Sequence, residues 1–146
     1  MAQNVNATFV KTPNLQATQI TTGTGSSVVV GVYTGGVSGS KVNGFVGTGI
    51  GTTAAFDVQW GVANATTFFI LGTVSIPAGA GSSDTLPAVN MFNTTNSPGL
   101  TLDSDGNPFV ILPSSAWLIE AKSPATSSTW TTGAVINLVA VSGADF

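Results

Sequence analysis

Hydrophobic and polar residues alternate along much of this chain with the two-residue period of a β-strand, and no long stretch keeps the 3.6-residue period of an amphipathic helix. The alternation is clearest over residues 54–62, where every second residue is apolar: Phe56, Val58, Trp60 and Val62. Successive side chains of a strand point to opposite faces of the sheet. This segment is therefore predicted to be a strand that buries its four apolar side chains on one face.

Clusters of glycine, proline and serine divide the rest of the chain into short segments rich in Val, Thr, Ile and Phe, which favour strands. The segments are 15–22, 27–33, 41–50, 67–77, 100–102, 109–112, 116–123 and 134–142. About eight short strands with regular turn signals are typical of a β-sandwich or a jelly roll. We expect an all-β fold, with an N-terminal arm over residues 1–14 and a single β domain over residues 15–146.

Some segments carry more specific expectations about their partners. Segments 15–22 and 27–33 are separated by Gly23-Thr24-Gly25, a spacing that predicts a hairpin. Segments 67–77 and 134–142 are apolar in both alternating rows, so both are predicted to be central strands covered on both faces.

The stretch 84–102 is the least regular part of the sequence. Pro87, Pro98 and Gly99 limit regular structure within it, so it is predicted to be a long crossover. Inside this stretch, residues 88–92 are compatible with one helical turn or with an edge strand.

A strong turn signal, Asp-Ser-Asp-Gly-Asn-Pro, occupies residues 103–108 between two strand segments. Aspartate side chains bind nearby backbone N–H groups in such turns, and Gly106 permits a positive φ, so a hairpin is predicted. The alternating Asp103, Asp105 and Asn107 are superficially similar to a Ca²⁺ loop. An EF-hand, however, needs glycine at position six and glutamate at position twelve, whereas here the glycine is fourth and position twelve is a serine.

Charge is unusually scarce in this chain. Three basic and six acidic residues, or 6% of the 146 residues, are charged, against about 25% in ordinary soluble domains. There is no arginine and the net charge is −3, so the chain has little with which to neutralise phosphates, and we expect no nucleic-acid partner. A surface nearly free of ions favours contact with other proteins.

No segment predicts a membrane partner. The longest apolar runs, such as residues 68–71, are far shorter than the about 20 residues that a transmembrane helix needs. Residues 1–9 show neither the basic nor the apolar region of a secretion signal. We therefore expect a soluble protein that is not exported by that route.

The chain contains no histidine, cysteine or arginine. The usual general base, the thiolate and the soft metal ligands are therefore missing. We expect a protein that is not an enzyme, with no catalytic residues, no metal site and no cofactor. The catalytic alternative that stays open is a glycosidase built on two carboxylates.

The tryptophans offer an alternative function, a carbohydrate-binding platform. Trp60 and Trp117 lie on the apolar faces of predicted strands, so core packing accounts for them. Trp130 lies in a Ser/Thr-rich stretch and is predicted to be exposed, where it would serve either a sugar site or a protein contact.

A set of turn and strand-edge motifs runs along most of the chain. They are Ala7-Thr-Phe-Val-Lys-Thr-Pro, Leu71-Gly-Thr-Val-Ser-Ile-Pro-Ala-Gly-Ala-Gly, Pro87-Ala-Val-Asn, Pro98-Gly-Leu-Thr-Leu-Asp-Ser-Asp-Gly-Asn-Pro, Ile111-Leu-Pro and Val141-Ser-Gly-Ala-Asp-Phe. In these motifs the chain resembles small virion proteins of tailed bacteriophages that are encoded among the head genes. The resemblance implies a capsid cement, or decoration, protein with a jelly-roll-like or β-sandwich domain.

Such a protein would act in the virion, on the outer surface of the phage head, after synthesis in the host cytoplasm. The partners implied are the major capsid protein, whose subunits it would bridge, and itself, as a homotrimer. Two alternative roles in the virion stay open. One is a carbohydrate-binding head-fibre or tail-adsorption module, and the other is a tail-tube or baseplate subunit.

Free termini and long loops usually supply the reach for contacts of this kind. On that ground the residues expected to contact the capsid or other copies of the chain are Phe9, Lys11, Met91, Phe92, Trp130 and Phe146.

Overall fold

The computed structural model describes residues 12–21, 28–51, 55–122 and 134–145, which form ten β-strands and no helix. The strands are β1 (Thr12–Thr21), β2 (Val29–Thr34), β3 (Ser40–Ile50), β4 (Phe56–Asn64), β5 (Thr67–Ile76), β6 (Val89–Asn90), β7 (Thr101–Leu102), β8 (Pro108–Leu112), β9 (Trp117–Lys122) and β10 (Val135–Asp145). The predicted all-β class is confirmed.

The strands form two antiparallel sheets. The large sheet has the order β1-β10-β3-β8-β7, with the short β6 also paired to β3, and the small sheet has the order β2-β9-β4-β5. Apolar side chains from both sheets meet in one core, so the architecture is a β-sandwich. Strands β4–β5 and β7–β8 are hairpins, whereas the other pairings join strands far apart in sequence.

Three aromatic rings lie at the centre of the core. Phe45 of β3 and Trp60 of β4 come from facing sheets, with ring centroids 5.5 Å apart in an edge-to-face arrangement. Phe92, which follows β6, packs 5.2 Å from Trp60 and 5.8 Å from Phe45. Aromatic pairs of this kind contribute about 0.5–1.5 kcal/mol beyond the area they bury. The cluster therefore ties β3, β4 and the chain after β6 together.

Strand β4 follows the predicted alternation as far as Trp60. Phe56, Val58 and Trp60 are buried as predicted, but the pairing with β5 shifts between Trp60 and Gly61. Beyond this shift Ala63 is buried and Val62 is only partly buried. Val62 packs against the core but does not share the full burial of the first three residues.

The predicted hairpin between segments 15–22 and 27–33 is wrong. β1 pairs with β10 in the large sheet, and β2 pairs with β9 in the small sheet. Each strand thus completes a different layer, and the chain crosses from one sheet to the other between them. A glycine-rich spacing fits a corner of a sandwich as well as it fits a tight hairpin.

Of the two segments predicted to be central and covered on both faces, one is central in its sheet, but Val141 on its outward face is exposed, so the predicted cover on both faces is wrong there. β10 lies between β1 and β3, and Ile136, Leu138 and Ala140 are fully buried. β5, from the segment 67–77, lies at the edge of the small sheet, so its predicted central position is wrong. Two apolar rows on one strand do not distinguish a strand covered on both faces from one that exposes apolar residues.

The stretch 84–102 is a crossover that includes β6 and reaches into β7. Residues 89–90 pair with β3 opposite Gly47 and Val46, so the edge-strand alternative holds there and the helical turn does not. The backbone N–H of Met91 then donates a hydrogen bond of 2.7 Å to the carbonyl of Phe45. These bonds fix the crossover to the large sheet.

The predicted boundary between arm and domain falls inside a strand. β1 begins at Thr12 and pairs with β10, so residues 12–14 belong to the large sheet. Residues 1–11 of the predicted arm lie outside the described residues.

We predict that Gly72→Ala destabilises the fold, because Gly72 packs against the backbone of the crossover. A Cβ atom at Gly72 would collide with Ser97 Oγ and lie 2.7 Å from the carbonyl oxygen of Asn96. Overpacking of this kind costs about 1–3 kcal/mol. Urea denaturation should show that loss in the free energy of unfolding. Gly99→Ala is the control, since a Cβ there would meet nothing within 4 Å, and equal losses in the two variants would contradict this packing.

Candidate interaction surface

Edge strand β5 leaves large apolar side chains in solvent. Phe69, Ile70 and Leu71 are 49%, 52% and 36% exposed. Because consecutive residues of a strand point to opposite faces, both faces of β5 are open at this point. Exposed edge strands are usually protected by charges, prolines or bulges. β5 carries a bulge at Leu71, but none of its ten residues is charged. This apolar edge therefore lacks the charge that would discourage association with another chain.

The bulge between β4 and β5 accounts for the change from buried to exposed residues along β5. Gly72 pairs with Trp60 and Ile70 pairs with Gly61, so Leu71 is the extra residue. On the C-terminal side of Leu71 every second residue is buried in the core. On its N-terminal side the strand is no longer covered in this alternating way.

An uncharged groove joins β5 to the β7–β8 hairpin. It has a volume of about 230 Å³, and its apolar walls include Leu71, Leu100, Phe109 and Ile111. Ile111 is 55% exposed. The exposed β5 residues Phe69, Ile70 and Leu71, together with Phe109 and Ile111 of the groove that Leu71 also lines, are termed the apolar rim.

A single cation lies at the border of the apolar rim within the described part of the chain. The Nζ atom of Lys41 lies 4.3 Å from the centroid of the Phe109 ring, in a cation–π contact. The ammonium group therefore covers part of Phe109 and leaves the rest of the rim uncharged.

The outward face of β1 and β10, over residues 15–19 and 137–141, is a second uncharged area. Leu15 and Val141 lie opposite each other on β1 and β10, and both are exposed. Four residues further along each strand, Gln19 Nε2 donates a hydrogen bond of 2.9 Å to Asn137 Oδ1. Asn137 Nδ2 in turn donates one of 3.4 Å to Thr48 Oγ1. The polar groups of this row thus bond to one another within the sheet.

Two of the predicted contact residues belong to the core. Met91 is fully buried and Phe92 is 2% exposed. Both residues directly follow β6, and Phe92 packs on Phe45 and Trp60. Neither side chain offers surface to a partner, so we assign both to the core instead of to the contact surface.

The other predicted contact residues, Phe9, Lys11, Trp130 and Phe146, lie outside the described residues. For the remaining tryptophans, core packing is confirmed. Trp60 is fully buried, and Trp117 is partly buried against the core.

The turn at residues 103–108 forms the predicted hairpin between β7 and β8. The backbone N–H groups of Asp105 and Asn107 donate to Asp103 Oδ1 at 2.9 and 2.8 Å, and Gly106 has a φ of 83°. These bonds, the one from the Asn107 backbone most of all, lower the pKa of Asp103 because they stabilise the ionised carboxylate. The carboxylate thus serves the turn.

The described residues offer little to a catalytic or metal-dependent reaction. They contain no group of three or more acidic, histidine or cysteine residues that could hold a metal ion. Partial burial raises the pKa of Glu120, but Gly31 and Gly61 lie directly opposite it on the neighbouring strands, so no second carboxylate faces it there. Within the described ranges no helix is long and apolar enough to cross a membrane.

Comparison with known proteins yields no assignment. A scan against protein-family models finds no match, and a search of curated proteins finds no significant similarity. A proposal about function must therefore rest on the exposed surfaces of the structure.

The apolar rim was missed by the sequence prediction, which treated the segment 67–77 as buried. The usable signal was the lack of any charge, proline or glycine between Thr67 and Leu71. That signal separates an exposed apolar edge from a buried strand only when the neighbouring strands are known.

We predict that Asp103→Ala loosens the β7–β8 hairpin, since it removes the acceptor of two backbone hydrogen bonds. Amide hydrogen exchange at Asp105 and Asn107, followed by NMR, should become faster. In the wild type, the Asp103 carboxyl should titrate below the ordinary range of an aspartate, and the turn should loosen as pH falls through that value. Asp57→Ala, on the exposed side of β4, is the control. Unchanged exchange at Asn107 in Asp103→Ala would contradict the assigned bonds.

Proposed function

We propose that this chain is a structural protein of a virus particle, a capsid cement or decoration protein of a tailed bacteriophage. In this proposal it is not an enzyme, and it binds the outer surface of the phage head as a homotrimer that stabilises contacts between major capsid subunits. The observation that carries the proposal is the apolar rim, a charge-free edge strand with exposed apolar side chains beside an uncharged groove. The motif resemblance described above supplies the viral setting.

The apolar rim favours a second copy of this chain as its occupant. A cyclic trimer is built from heterologous contacts, in which one patch of a subunit meets a different patch of the next. The rim supplies two such patches, the exposed residues of β5 and the groove lined by Phe109 and Ile111, which meet at Leu71. Both present apolar side chains and neither includes a charged residue, so their contact would remove hydrophobic surface from water without desolvating an ion.

The sparse charge also fits a position on the outside of a particle. An acidic chain without arginine has no means of binding packaged DNA strongly. The second uncharged area, on the outward face of β1 and β10, remains available for the capsid shell when the rim is occupied.

A second candidate function is a carbohydrate-binding module of a head fibre or tail. The observation that favours it is a polar cavity beside Asn43 and Asn90, about 350 Å³ in volume. This function is compatible with trimer formation, because the cavity and β5 have no lining residue in common.

We predict that the double substitution Phe69→Lys/Leu71→Lys converts the trimer to a monomer. Two ammonium groups on β5 would have to lose water if the rim packed against another subunit, and lysine is a common protection of edge strands. Sedimentation equilibrium should show a wild-type trimer at micromolar concentration, with the half-assembly concentration raised at least tenfold in the variant.

Val37→Lys is the matched control. Val37 is 86% exposed in the turn before β3, and β2, the strand before this turn, lies at the opposite edge of the small sheet from β5. This variant should remain a trimer. A wild-type chain that stays monomeric at high concentration, or a double variant that assembles normally, would contradict the proposal.

A further prediction concerns the particle itself. Purified wild-type trimer, added to phage heads stripped of their accessory proteins, should rebind and appear in electron micrographs as density on the outer shell. The Phe69→Lys/Leu71→Lys variant should show much lower occupancy, because monomers lose the avidity of three linked contacts. Density only at the tail, or none on any particle, would argue against a cement protein.

A further inference from the structure

Two polar cavities lie side by side at the end of the sandwich that carries the β7–β8 turn. The larger, of about 350 Å³, is lined by Lys41, Asn43, Asn90, Asp103, Asn107 and Pro108. The smaller, of about 280 Å³, shares Asn90 and Pro108 with it and extends to Asn93 and Thr94. Together they form one groove, termed the amide groove, and the larger cavity alone falls within the range of about 300–1,000 Å³ typical of small-molecule sites.

Amide side chains dominate the larger cavity. An amide both donates and accepts hydrogen bonds, as a hydroxyl group does, so it can bind a hydroxyl in either sense. Asn90 accepts a bond at Oδ1 from the backbone N–H of Phe92, which orients the amide. The Nδ2 group of Asn90 and the whole side chain of Asn43 have no hydrogen-bond partner among the described residues, so they have capacity for a ligand.

The turn at residues 103–108 holds a third amide and a carboxylate in place. Asp103 Oδ1 accepts two backbone bonds, and Asp103 Oδ2 accepts a longer bond of 3.4 Å from Asn107 Nδ2. A carboxylate has about four lone-pair positions, so Oδ2 keeps room for a further donor. Because the turn fixes these groups before any ligand arrives, binding would cost little ordering of side chains.

The charges of the amide groove balance each other. Lys41 and Asp103 are its two charged lining residues, one of each sign. A phosphorylated or sulfated ligand would meet the Asp103 carboxylate and would lack the arginine fork that such groups favour. An apolar ligand would leave the amides without partners.

We propose that the amide groove binds a neutral carbohydrate, with Asn43, Asn90 and Asp103 bonding to ring hydroxyls and Pro108 contacting the apolar side of a sugar ring. This site does not involve Trp130, and it does not depend on trimer formation at the apolar rim.

The test is saturation-transfer-difference NMR on the full chain with glucose, galactose and N-acetylglucosamine, followed by an array of neutral oligosaccharides containing these units. At least one saccharide should bind the wild type. Asn43→Ala should weaken that binding at least tenfold, and because Asn43 is exposed and makes no side-chain hydrogen bond to the described residues, the substitution should leave the fold intact. Asp103→Asn, which keeps the shape of the side chain, should also weaken it.

Asn64→Ala is the matched control, since Asn64 is exposed at the end of β4 and lines neither cavity of the amide groove. The control and the Phe69→Lys/Leu71→Lys variant should both bind saccharide normally, which separates this proposal from the fate of the trimer. Binding lost in Trp130→Ala but kept in Asn43→Ala would place the sugar elsewhere and overturn the inference. Failure of every saccharide to bind, or competition by inorganic phosphate or sulfate, would overturn it as well.

Discussion

The packing of two sheets against each other is the interaction on which this fold depends. The chain has no cysteine for a disulfide and only three basic residues for ion pairs, so burial of apolar rows must supply the stability. Phe45, Trp60 and Phe92 form the centre of that packing and join both layers. The surface of the molecule is also poor in charge, and part of its apolar area stays exposed to solvent. Exposed apolar residues at the edge and on the outward face are the consequence.

The features that local sequence determines could be predicted. The turn at residues 103–108 closes through bonds from Asp103 to groups within four residues, and the burial of Phe56, Val58 and Trp60 follows from alternation alone. Strand partners were harder to predict, because they depend on residues far away in sequence. β1 pairs with the last strand instead of with β2, and β5 has no neighbour on one side. The bulge after Trp60 likewise leaves no clear mark in the sequence.

Both candidate sites follow from these long-range features. The apolar rim exists because β5 ends the small sheet beside the β7–β8 hairpin, and the amide groove exists because that hairpin and β6 both lie against β3. One surface is apolar and extended, which suits a repeated contact between proteins. The other is polar and concave, which suits a small hydroxylated ligand. A decoration protein that also binds sugar would use them at once, the first for assembly and the second at the exposed surface of the particle.

Hydrogen–deuterium exchange of the β5 backbone at several protein concentrations tests the central claim most directly. A free edge strand exchanges readily, whereas one held against another subunit is protected. The account predicts that peptides covering residues 67–76 become protected as concentration rises, while peptides covering the turn at residues 35–39 do not change. Two results together would contradict it: exchange in β5 that is the same at every concentration, and no faster-sedimenting species as the concentration rises.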